Sequence, residues 1–196
     1  MGVQSRKICI FSNIAAAWLE RNCNPAAAHL AAVINSIGRL ALKLQLISKL
    51  LKAGGGTRIF YASQPGYDTH SGQSFTHARL LREFSAALKA FLDDLRAAKL
   101  EERVVVLAFS EFGRRVEENG SAGTDHGAAG PVFLAGSSVR GGLIGEHPPL
   151  TDLHQGDLKM SIDFRRVYAA ILADWLGIDA TAVLGSRYAP IELLKA

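Results

Sequence analysis

The protein is 196 residues long, enough for one domain with a hydrophobic core or for one half of a larger one. Hydrophobic residues make up 48% and charged residues 20%, which excludes a disordered chain. The net charge of +4 is spread without a basic block and no recognition motif accompanies it, so nucleic acid is not an expected partner.

Residues 1–24 show no clear periodicity and read as an irregular N-terminal segment, leaving residues 25–196 as a single α/β domain. Arg6 and Lys7 precede an apolar run too short for a signal peptide, so no export signal is visible. Cys9 and Cys23 lie in this segment without CxxC or Cys/His zinc-finger spacing, and their pairing is left open. The stretch 25–53 is interrupted by His29, Asn35, Arg39, Lys43 and Lys49, too polar for a membrane span. Within it, 26–52 predicts a helix. Pro25 suits its start, Leu40, Leu44, Ile47 and Leu51 share one face, and Gly54-Gly55-Gly56 stops it.

Residues 57–63 are β-branched and aromatic and predict a strand. A long amphipathic helix follows over 75–98, with Leu81, Phe84, Leu88, Phe91 and Leu95 as its buried stripe. The run RVVVLAF at 103–109 has the signature of a parallel strand covered on both faces. It empties into Ser110-Glu111-Phe112-Gly113-Arg114-Arg115 and a glycine-rich loop, then a short strand at 131–135. Leu143-Ile144 is a further strand candidate. A helix over 163–176 carries Phe164, Val167, Ile171, Leu172 and Trp175 and ends at Gly177, with one more helical turn at 179–184. Strands separated by crossover helices imply an α/β fold: a three-layer, mostly parallel sheet flanked by helices. Ligands of such sheets sit beyond the carboxyl ends of the strands.

Two glycine-flanked loops lie at that edge, Gly66-Tyr67-Asp68-Thr69-His70 and Gly123-Thr124-Asp125-His126-Gly127. Each sets a carboxylate beside an imidazole, a mixture of hard oxygen and borderline nitrogen that suits zinc or manganese. Asp68 and His70, two apart, read either as a ligand pair or as an Asx turn beside an exposed histidine. Asp125 and His126 are adjacent, so they converge only in a tight loop; an ordinary polar loop is the alternative. Glu111 ends the most buried strand, either as a ligand or, the simpler account, in an ion pair with Arg114 or Arg115. His77 and His29 read as surface and structural residues. His147, Asp152 and His154 belong to a proline-rich loop that reads as surface, and Asp163 reads as a helix cap.

The stretches YASQPGYDTHSGQ, VVVLAFSEFGRRVEENGSAGTDHGAAGPVFLAG and GDLKMSIDFRRVYAAILADWLG resemble the C-terminal half of the bacterial domain of unknown function 1501 family. That family is similar to the alkaline-phosphatase and sulfatase superfamily, and the resemblance covers roughly residues 41–196. In the superfamily, an Asp/His loop and an Asp-His-Gly loop hold two divalent metals that flank a phosphate or sulfate ester. The resemblance therefore implies metal-ligand roles for Asp68, His70, Asp125 and His126, with Glu111 and Arg114 at the edge of the site. It also implies an alkaline-phosphatase-like fold and a small ester as substrate. Residues 1–24 show neither the metal-binding Asp strand nor the nucleophile of the superfamily, and Ser110 lies out of the nucleophile's place. The expectation is an incomplete, C-terminal part of that fold that keeps a divalent metal but has no assigned catalytic residue. A catalytically silent α/β module is the alternative, its apolar edge covered by a second copy or by a partner supplying the missing half.

Overall fold

The structure, a computed structural model, describes residues 8–12, 31–33, 40–54 and 56–195. Its largest sheet has five strands: β1 (Ile8–Ser12), β2 (Ala31–Val33), β3 (Ile59–Ala62), β4 (Val104–Ala108) and β7 (Phe133–Ala135). They stand in the order β2-β3-β1-β4-β7. β1 pairs in parallel with β3 and β4, β2 pairs in parallel with β3, and β7 runs antiparallel to β4. At the carboxyl edge Ser12 is in register with Ala62 on one side and Ala108 on the other. Two short antiparallel ribbons complete the strands among the described residues: β5 (Gly113–Arg114) with β6 (His126–Gly127), and β8 (Leu153–His154) with β9 (Asp157–Leu158). The chain is α/β, as expected.

The core divides by side-chain alternation along the strands. Phe60, Ala62, Val104 and Val106 face Leu40, Leu44, Ile47 and Leu51 of α1 (Leu40–Lys52) and Phe91 and Leu95 of α2 (Gln73–Ala97). Val105 and Leu107 join the other cluster, with Val167, Ile171, Trp175 and Leu193. All five residues of β4 are buried, which is why VVVLA carries no polar alternation.

Several expectations are corrected. Ile8–Ser12, read as part of an irregular segment, is the central strand β1. Five residues carry too little periodicity to announce a strand; its place comes from two long-range partners. Ala31–Val33, read as helix, pairs with Ile59–Tyr61 at the sheet edge, where ladder hydrogen bonds outweigh the modest helix preference of alanine. The described helix there is Leu40–Lys52, and residues 26–30 and 34–39 lie outside the described residues. Cys23 and His29 also lie outside them.

In α2 the buried residues are Leu80, Ala87, Phe91 and Leu95, whereas Leu81 is 49% exposed. Phe84 and Leu88 only border the core, so the inward stripe starts one residue earlier than periodicity suggested. Leu143-Ile144 form no strand, and Leu143 is 83% exposed.

The C-terminal helix is capped as read. The Asp163 carboxylate accepts from the Arg165 backbone N–H at 2.9 Å at the start of α3 (Phe164–Ala170). The chain then widens into a π-type turn at Ile171–Leu176 and stops at Gly177, whose φ of 65° is readily adopted only by glycine. Asp179 caps α4 (Ala180–Leu184) in the same manner.

Candidate metal centre

β3 and β4 run parallel with β1 between them, so the loops that follow both leave from one edge of the sheet. The first loop carries Asp68 and His70. The second returns as β5 and β6, where Arg114 pairs with His126 and Gly113 with Gly127. This ribbon carries Asp125 and His126 back over the first loop.

Arg114 ties the two loops together. Its Nη2 donates to the Tyr67 carbonyl at 2.5 Å and its Nη1 to the Thr124 carbonyl at 2.6 Å. Its guanidinium also lies 5.1 Å from the centre of the Phe112 ring. Asn119 makes the second tie. Its Oδ1 accepts from the backbone N–H of Ser121 and Gly123, while its Nδ2 donates to the His70 carbonyl at 3.0 Å. Gly123 permits the close approach: a Cβ there would lie 2.4 Å from the carbonyl carbon and oxygen of His70. The start of α2 is held too, since Gly72 and Gln73 donate backbone N–H groups to the Ser121 and Ala122 carbonyls.

These ties bring all four predicted residues together. His126 Nε2 lies 2.7 Å and His70 Nε2 3.1 Å from the same oxygen, Asp68 Oδ1. His70 Nδ1 lies 3.4 Å from Asp125 Oδ1. The His70 and His126 rings are 4.9 Å apart, and Phe112 stacks on His126 at 3.8 Å and 6°, which fixes that ring's plane. Donor atoms of Asp68, His70 and His126 all fall within 4.8 Å of one another, the sole such group of histidine, cysteine or acidic residues among the described residues. The side chains are open to solvent, from 43% for His126 to 67% for Asp68.

Donors held about 2.1 Å from a tetrahedral ion sit about 3.4 Å apart. The two separations from Asp68 Oδ1, 2.7 and 3.1 Å, lie a few tenths of an ångström below that figure, and two imidazoles with one carboxylate are a donor set zinc and manganese accept. The residues fit such an ion.

The carboxyls are held ionised, as ligation requires. The His126 contact, with a smaller contribution from His70, keeps the Asp68 carboxyl below the usual range. The Asn119 amide does the same for Asp125, again with help from His70.

Glu111 is exposed and stands outside this donor group. Arg114 borders it but spends its terminal nitrogens on backbone carbonyls. Arg115 reaches the Gln155 carbonyl at 2.5 Å and Asp157 at 3.6 Å, so the β8–β9 ribbon docks beside the site, with His147 and His154 exposed. His77, read as a surface residue, is half-buried against the Tyr67 ring and within 3.4 Å of the Tyr67 carbonyl. Sequence reasoning passed over Phe112 and Asn119. Asn119-Gly120 is a turn dipeptide by composition, but nothing local shows which loop its side chain binds.

A family model described as a protein of unknown function, DUF1501, matches residues 36–186. No curated protein and no solved structure matches the chain.

Proposed function

The chain belongs to the DUF1501 family of proteins of unknown function, and from that premise we propose that it carries a divalent-metal site of the alkaline-phosphatase and sulfatase kind, directed at phosphate or sulfate esters. In this reading the fold corresponds to the C-terminal half of an alkaline-phosphatase-like sheet. The observation that carries it is the convergence of two imidazoles on one carboxylate oxygen from loops 58 residues apart, at the carboxyl edge of parallel strands.

Asp68, His70 and His126 would hold the ion, zinc or manganese by the chemistry of the donors. A bound divalent ion supplies Lewis-acid polarisation of an ester oxygen. The chain contributes positioning: Arg114 and Asn119 set the spacing of the two loops, and Phe112 sets the plane of the His126 ring. Arg114 stands at the edge of the site, with its terminal nitrogens donating to the Tyr67 and Thr124 carbonyls. The exposed donors leave the ester room to approach from solvent.

Thermal unfolding with and without zinc or manganese tests the reading. At a metal concentration a hundredfold above Kd, binding adds about 2.7 kcal/mol. For a chain of this size that is roughly a 5–10 °C rise in Tm. Asp68→Ala should abolish the rise. An aryl phosphate and an aryl sulfate, assayed beside it, report turnover. No metal retained and no shift in Tm with either ion would refute the proposal.

A further inference from the structure

Resting on the metal reading above, we infer that the site holds one divalent ion per chain, through Asp68, His70 and His126, and that Asp125 is a positioning residue for His70 and not a ligand. His70 uses its two ring nitrogens in opposite directions: Nε2 points at Asp68 Oδ1, and Nδ1 at Asp125 Oδ1. A neutral imidazole that ligates through one nitrogen carries its proton on the other, and that N–H needs an acceptor. Asp125 is the acceptor in place. It is itself anchored by Asn119 Nδ2, 3.3 Å from the same oxygen, and Asn119 is fixed by two backbone N–H groups and by the His70 carbonyl. The acceptor, its anchor and the ring it serves thus form one preassembled unit.

His126 opens strand β6 and Asp125 precedes it in the loop. His126 joins the donor group; Asp125 does not. Ligand number agrees as well. Among the described residues the donor group offers three ligand atoms, the number that holds a single catalytic zinc. Two imidazoles, one carboxylate and open remaining positions suit a single ion that also takes water or substrate.

The test uses the full chain, stripped of metal by chelation and titrated with zinc by calorimetry, with elemental analysis of the reloaded protein. The expected result is one zinc per chain for the wild type and none for Asp68→Ala. Asp125→Ala should keep that stoichiometry with affinity about 10- to 100-fold weaker. Asp125→Asn should recover most of the loss, because an amide oxygen still accepts from the imidazole N–H but is a poor replacement for a carboxylate ligand. Two zinc ions per wild-type chain would overturn the inference and leave the metal reading standing. So would an Asp125→Asn protein as deficient as Asp68→Ala. A wild-type chain that takes up no zinc would overturn both.

Discussion

Replacing Arg114 by methionine removes the tie between the two loops while keeping most of the side-chain volume. Two hydrogen bonds are lost, to the Tyr67 carbonyl at 2.5 Å and the Thr124 carbonyl at 2.6 Å. The contact to Thr69 Oγ1, at 3.5 Å, is at the long limit for a hydrogen bond and adds little. Hydrogen bonds from a charged donor contribute about 1.5–3 kcal/mol each. Because both share one side chain, half-buried and partly hydrated, their joint loss should be about 2–4 kcal/mol. Urea denaturation measures this directly. Zinc titration of the same variant should show affinity at least tenfold weaker, since Tyr67 adjoins Asp68 and Thr124 adjoins Asp125. Arg114→Lys should recover less than half of the stability, because a single ammonium cannot span two carbonyls as a planar fork does. A stability loss below about 0.5 kcal/mol, with zinc affinity unchanged, would refute the view that Arg114 sets the spacing of the loops.

Gly123→Ala should lower stability by about 1–3 kcal/mol, the usual range for overpacking, because its Cβ would meet the His70 backbone at 2.4 Å; zinc affinity should fall with it, and an alanine variant identical to wild type in both would show that the loops yield freely. Tyr168 gives a pH dependence. Burial against Phe109 and Phe164 pushes its phenol up from 10.0 to about 12. A raised folded-state pKa means the contribution is complete below pH 10 and is lost as pH rises through 12, by about 2–3 kcal/mol at 1.36 kcal/mol per unit. Denaturation midpoints across pH 9–12 should show that fall, and Tyr168→Phe should flatten it.

The elements that carry their own periodicity could be read in the sequence. VVVLA is apolar throughout because β4 is covered on both faces, and the leucines of α1 recur at helical spacing because one face meets the sheet. Asp163, Gly177 and Asp179 announce the ends of the last helices through side-chain acceptors and a left-handed turn. The four candidate residues were legible for a related reason: carboxylate and imidazole side by side between glycines is chemistry written locally. Tertiary structure decided what depends on partners distant in the chain. β1 is central because it pairs with strands about fifty and a hundred residues away, and nothing in its five residues encodes that. The facing residue of α2 is Leu80 and not Leu81 because the sheet, not the helix, sets the contact line. Likewise, Asn119 and Arg114 became organisers of the site only when folding brought the Tyr67 and His70 carbonyls within their reach. A hydrogen bond acts over about 3 Å whatever the sequence separation, so the side chains that space these two loops are defined by proximity, which only the folded chain supplies.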